Sequence, residues 1–292
     1  MLPFGEVLTA MITPFTDEGL VDHEQAWRLA RYLVENGSDG LVVTGTTGES
    51  PTLRSDEKVA LYRTVVDAVG KKAHVLAGTG TYDTRESVEL SERAQEVGCG
   101  GLLAVCPYYN RPSQDGLLAH FRAIADSTDL PVLLYNIPGR TARRIEIETL
   151  ARLADHKRIV AVKDAVMDID FTSETVHRVP DLAVYSGQDS YTWPMMAVGA
   201  VGVVSVISHL AGKTVKAKVA AANRGDLTEA RRLHNVLLPL ALACFLEPNP
   251  APVKAAMSAL WEPVGEPRLP LVAASDSTLA AIKEALSAVQ TA

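Results

Sequence analysis

The sequence predicts an α/β fold: a closed (β/α)8 TIM barrel followed by a C-terminal helical subdomain. Three observations carry this expectation. Eight short apolar runs rich in β-branched residues alternate with helix-length amphipathic segments. The runs are continuously apolar, as strands of a parallel sheet covered on both faces must be. The eight units also fill roughly 225 residues, a usual size for such a barrel.

The first run, VLTAMIT at residues 7–13, reads as a strand. The helix-like DHEQAWRLARYLVENG follows, with Asp22 placed to cap it and Gly37 to end it. The next strands are GLVVTG from Gly40, HVLAG from His74, GLLAV from Gly101 and VLLYN from Val132. IVAVK from Ile159, LAVYSG from Leu182 and GVVSV from Gly202 complete the eight. Most are separated by one segment with apolar residues three or four apart, such as SDEKVALYRTVVDAVG from Ser55. There Asp56 and Glu57 suit the positive end of a helix dipole, although Ser55 and Lys58 form no capping box. After Gly225 the remaining segments are helical in period with no strand between them. Residues 1–225 therefore read as the barrel, and 226–292 as a helical subdomain or oligomer contact. An open doubly wound sheet is the competing fold. It lacks support, because no G-x-G-x-x-G follows the first strand and no phosphate-binding G-x-x-x-x-G-K-[ST] occurs.

Bulk composition narrows the function. With 47% apolar and 22% charged residues the chain can bury a large core, which excludes a disordered chain. A formal charge of −7 without any basic run argues against nucleic acid or anionic lipid as a partner. The N-terminal stretch has neither a basic segment nor a small-residue cleavage site, so no signal peptide is expected. Apolar runs such as LPLALACFL fall short of the ~20 residues that a membrane span needs. Cys99, Cys106 and Cys244 are odd in number and lack metal-ligand spacing, which suits reduced thiols in a cytoplasmic protein.

In a barrel of this kind chemistry sits where the C-terminal ends of the strands converge. The segments there are TGTTGES, CPYYNRP, YNIPGRT, the Lys163 that ends the sixth strand, and SGQDS. Hydroxyls dominate, with one amine and one arginine. Histidine is nearly absent; His209 alone follows a strand closely, and it reads as a hydrogen-bonded loop residue. No cluster has metal-ligand spacing, so neither metal nor cofactor is expected.

Lys163 is the most pointed candidate. A strand-end lysine commonly snorkels to water. Period two, however, puts Ile159, Ala161 and Lys163 on one face, and an inward alanine would leave space beneath the amine. Desolvation at a barrel mouth favours the neutral amine, which attacks a ketone to form a Schiff base. The GTTGES loop offers the hydroxyls of Thr46 and Thr47 and backbone N–H groups at an expected helix start, a setting for a carboxylate or merely a turn. Tyr135 ends a strand as Lys163 does. Arg140 is either an exposed side chain or a planar fork for a second carboxylate.

The strings GTTGES, PYYNRPSQDGL, YNIPGRT, VKDA and NPAPVKAAM together resemble the 4-hydroxy-tetrahydrodipicolinate (dihydrodipicolinate) synthase family, and the likeness spans essentially the whole chain. The resemblance implies condensation of pyruvate with L-aspartate-4-semialdehyde in lysine biosynthesis by a cofactor-free barrel, commonly a homotetramer. It implies that Lys163 forms the Schiff base and that Tyr135 passes protons in a relay with Thr46 and Tyr109. Tyr109 would reach into a neighbouring subunit's site. Thr47 would hold the pyruvate carboxylate and Arg140 that of the semialdehyde, with Gly187 and Val204 lining the pocket. A phenol is a poor base near neutrality, so a chain of hydroxyls that relays protons without full deprotonation makes chemical sense.

Related barrels, the N-acetylneuraminate lyases and 2-keto-3-deoxy sugar-acid aldolases, share the pyruvate half. Arg140 in GRT favours a small charged aldehyde over a polyhydroxylated one. A barrel that has lost catalysis and serves as a scaffold is the remaining alternative, but every matched catalytic position is filled. Where lysine-inhibited relatives carry histidines and an asparagine, this chain has Ser55, Lys58 and Tyr82, with Glu86 and Tyr108 retained. The resemblance therefore implies weak or absent feedback by L-lysine.

Overall fold

A computed structural model describes residues 2–291. Eight parallel strands close on themselves in sequence order: β1 (Val7–Ala10), β2 (Gly40–Val43), β3 (His74–Gly78), β4 (Gly101–Val105), β5 (Val132–Asn136), β6 (Ile159–Asp164), β7 (Ala183–Ser186) and β8 (Gly202–Ser205). Helices α1 (His23–Glu35), α2 (Ser55–Val69), α3 (Thr84–Glu96), α4 (Gln114–Ser127), α5 (Pro138–Thr141), α6 (Ile147–Ala154), α7 (Ile169–Arg178), α8 (Thr192–Ala197) and α9 (Ser208–Asn223) return the chain around the outside. Then come α10 (Leu227–Ala243), α11 (Ala251–Leu260) and α12 (Asp276–Gln290).

Local chemistry explains the boundaries. The Asp22 carboxylate accepts from Gln25 N at 2.9 Å and opens α1, while Gly37 follows its end with φ 108°. Helix α2 starts one residue past Arg54, whose N–H donates to the Glu57 carboxylate at 2.8 Å, so the cap is the second half of a capping box. Strand β1 is shorter than residues 7–13. Beyond Ala10 the Ile12 N–H donates to His209 Nε2, and Phe15 pairs with Val21, so the chain leaves the barrel wall.

Two apolar layers follow from strand periodicity. Leu8, Val42, Leu76, Leu103, Leu133 and Val204 fill the barrel interior together with Tyr135, Ala161 and Tyr185. Their strand neighbours face the helices. Strand β6 breaks the simple alternation. Its register with β5 shifts between Val132 and Leu133, so Ile159 packs on the outer layer while Val160 leans against the inner one. Ile159 therefore does not share the face of Lys163. The extra residue of a bulge flips the side-chain phase below it. Ala161 and Lys163 keep the inward face.

The C-terminal helices share a core with the barrel. Val7 of β1 and Val203 of β8 lie in one apolar cluster with Val215 and Val219 of α9, Leu237 and Leu240 of α10, and Ile282 of α12.

Candidate active site

Lys163 sits near the C-terminal end of β6, 5% exposed, with Nζ 4.1 Å from the centroid of the Tyr135 ring. The two residues are register partners on adjacent strands, which sets the amine over the aromatic face. Ala161, one step inward on the same face, is buried in the interior layer. Asp164 fixes the strand end: its carboxylate accepts from Thr172 Oγ1 at 2.7 Å and from Val166 N at 2.9 Å. Burial pushes the Asp164 carboxyl above the usual range despite these bonds.

Tyr135 also lines a cavity of ≈ 190 Å³, together with Thr46, Tyr108 and Arg140 among others; Lys163, Thr47 and Gly187 lie outside that lining. A three-to-five-carbon acid fits such a volume. Arg140 lies on the short helix α5 at the rim, exposed and ion-paired with no described carboxylate. Gly187 lies beside the stem of Lys163. A Cβ there would lie 2.8 Å from Ala165 Cβ and 3.1 Å from Lys163 Cγ, so any side chain would press on the amine's stem. Val204 is buried in the interior layer, in register with Leu8, below the cavity and not on its lining.

The loop after β2 is held unusually tightly. Thr44 and Glu49 bracket Thr46 and Thr47 with φ 54° and 57°, a left-handed backbone that L side chains rarely adopt. The Thr44 and Tyr62 hydroxyls and Gly78 O lie within 3.0–3.1 Å of one another and hold one end. At the other end Lys254 Nζ donates to Glu49 Oε1 at 2.9 Å, to Thr13 O and to Glu266 O at 3.0 Å, and Arg268 N donates to Glu49 Oε2 at 2.8 Å. Thr47 is buried, and its Oγ1 accepts from Asn249 Nδ2 at 2.9 Å. The expected helix start is absent here. A three-residue 3-10 turn at Ser50–Thr52 follows the loop, and α2 begins only at Ser55, because the left-handed Glu49 cannot join a helix.

Tyr109 stands apart from these residues. It is 92% exposed with φ 71° and lines no part of the cavity. Neither Thr46 Oγ1 nor the Tyr135 hydroxyl makes a hydrogen bond to another described residue, so the single chain brings Thr46 and Tyr135 to one cavity without linking them to Tyr109. His209 is no loop residue: it lies in the first turn of α9, fully buried. Its Nδ1 must donate to Val206 O at 2.8 Å, because a carbonyl only accepts, and its Nε2 accepts from Ile12 N at 3.2 Å. Burial lowers its pKa to about 4. Cys99, Cys106 and Cys244 are free and buried, with burial raising each thiol to about 12.

The profile of the Dihydrodipicolinate synthetase family matches residues 3–289. The chain belongs to that family. A 4-hydroxy-tetrahydrodipicolinate synthase from Heliobacterium modesticaldum is 52% identical over 97% of this chain and 95% of its own length. Among solved structures, a dihydrodipicolinate synthase from Bacillus anthracis superposes with a TM-score of 0.94 at 45% identity, covering 98% of this chain and 99% of that one. A Cyanidioschyzon merolae dihydrodipicolinate synthase, determined with lysine bound, gives a TM-score of 0.96 at 42% identity and 99% coverage of both chains. Whole-chain coverage makes the C-terminal helices part of the dihydrodipicolinate synthetase fold and not an appendage peculiar to this sequence.

Reading the sequence as a member of this family leaves Asp164, Asn249, Glu49 and Lys254 without roles. The last three make contacts that span more than 200 positions, which no local pattern displays. The one available signal was the string NPAPVKAAM, where Asn249 and Lys254 stand in a helical tail with no evident surface use for a lysine.

Proposed function

We propose that this chain condenses pyruvate with L-aspartate-4-semialdehyde through a Schiff base on Lys163, giving 4-hydroxy-tetrahydrodipicolinate. The observation that carries this reading is a buried amine lying on the ring of Tyr135, which itself lines a cavity bearing Thr46 and Arg140. The neutral amine attacks the keto carbon and expels water to form the imine. The imine draws electrons from the neighbouring methyl carbon, which loses a proton and becomes an enamine nucleophile. That carbon adds to the aldehyde. The semialdehyde's own amine then closes the ring at the imine carbon and releases Lys163.

On this reading the two carboxylates have separate anchors. Thr47 and its loop hold the keto acid, while Arg140 offers a two-pronged fork to the semialdehyde at the rim. Tyr135 and Thr46 shuttle protons over the amine. Tyr109, exposed on a left-handed turn, completes the relay in a second subunit's site and helps to exclude water from the waiting enamine. The chain therefore works as a homo-oligomer, a dimer of dimers. Among the described residues no helix is long and apolar enough to cross a membrane, and we place the enzyme in the cytoplasm with the other reduced-thiol proteins.

Borohydride reduction with pyruvate, followed by mass spectrometry, tests the proposal. Wild type gains one reduced adduct and Lys163→Ala gains none; an adduct that survives Lys163→Ala defeats the mechanism. Arg140→Ala leaves pyruvate trapping intact and raises the semialdehyde KM. Equal loss of both would overturn the role given to Arg140.

A further inference from the structure

We propose that Asn249 is a positioning residue for the keto-acid carboxylate, acting through Thr47 across the seam between the C-terminal helices and the loop after β2. This rests on the reading of Thr47 as a carboxylate donor given above. Asn249 is buried immediately before α11, and its Nδ2 donates to Thr47 Oγ1 at 2.9 Å. A hydroxyl has a single proton, and it accepts through its lone pairs. With an amide N–H occupying one lone pair, the Thr47 proton is turned away from Asn249. Thr47 Oγ1 makes no second hydrogen bond among the described residues, so that proton is left for another acceptor. A carboxylate needs such a donor.

The backbone around Thr47 is fixed from the same side of the molecule. Two residues on, Glu49 is clamped by Lys254 and by Arg268 N, both from the segment beyond α10, and Lys254 is 1% exposed. The C-terminal segment thus sets both the loop's path and the direction of its hydroxyl. Orienting a donor during folding spares that cost when substrate binds. Asn249 Oδ1 is itself buried and makes no hydrogen bond among the described residues, a costly arrangement for a side chain that merely fills space. The reverse amide orientation would have Thr47 donate into Oδ1 and would turn the proton away from substrate. Asn249→Asp separates the two, since a carboxylate can only accept.

The experiment measures the pyruvate concentration that gives half-maximal borohydride trapping on Lys163, with thermal melts as a check on folding. Asn249→Ala raises that concentration by about tenfold, the worth of one oriented hydrogen bond to a charged group. Asn249→Asp, close to isosteric, raises it further, and the semialdehyde KM stays within about twofold of wild type in both. In a Thr47→Val background neither substitution shifts the half-maximal concentration. Asn249→Asp with wild-type trapping, or equal shifts with and without Thr47, overturns the inference. Failure of wild type itself to trap pyruvate defeats the functional reading, which separates that failure from this one.

Discussion

Lys163 is held by its neighbours more than by its own bonds. The Tyr135 ring lies against it, Gly187 gives its stem room, and Asp164 pins the strand end behind it. Each depends on strand register: the bulge at Val160 shifts the pairing lower in the strand, while Lys163 stays in register with Tyr135. His209 shows the opposite logic, a side chain held wholly by bonds. Its neutral tautomer is forced by a carbonyl at one nitrogen and an N–H at the other. With a folded pKa near 4 and an ordinary value of 6.5, the unfolded chain binds the extra proton first. Stability from this group is complete above about pH 6.5 and is lost as pH falls towards 4, by on the order of 3 kcal/mol at most. Thermal melts across that window should show a decline that His209→Gln reduces. An equally steep decline in the variant would exclude His209 as its source.

At the scale of elements, the loop after β2 depends on a distant helix. Lys254 of α11 and Glu49 form an ion pair in which both side chains are almost wholly buried. Burial pushes the lysine below its usual pKa range and Glu49 pushes it back, which marks an amine that needs its partner. Removing one member of such a pair strands the other, and Lys254→Met should cost about 3–5 kcal/mol in chemical denaturation. A loss below about 1 kcal/mol would mean that Glu49 finds other partners. Near the N-terminus of α2, Lys58 is buried, and burial lowers its pKa while Glu86 raises it. Ser55 Oγ donates to the same carboxylate at 3.4 Å, and Tyr82 meets Tyr108 edge-on at 5.2 Å. Glu86 thus already faces a cation of the chain without a direct ion pair, and the positive field of Lys58 would oppose an incoming ammonium. We expect initial rates to change by less than about twofold in millimolar L-lysine; a several-fold fall would show a site of ordinary affinity.

Across the whole molecule, the barrel and the helices after it share one apolar cluster. Val7 and Val203, from the first and last strands, share their apolar cluster with residues of α9, α10 and α12. Cutting the chain after Gly225 would bare that surface at the seam that closes the barrel. The shortened protein should lack a cooperative thermal transition, whereas a sharp melt near that of the full chain would establish residues 1–225 as an independent domain.

The sequence alone determined the eight strands, their parallel order and the residues at their C-terminal ends, because burial on both faces imposes an unbroken apolar run and the barrel brings those ends together. Six strands match the predicted runs to within a residue at either end. Only the tertiary structure decided what aims these residues. The bulge in β6, the left-handed Thr44 and Glu49, and the contacts of Asn249 and Lys254 with a loop some 200 positions away all arise from packing between distant segments. Such contacts leave no periodic trace, since one amide or one ammonium in the right place suffices.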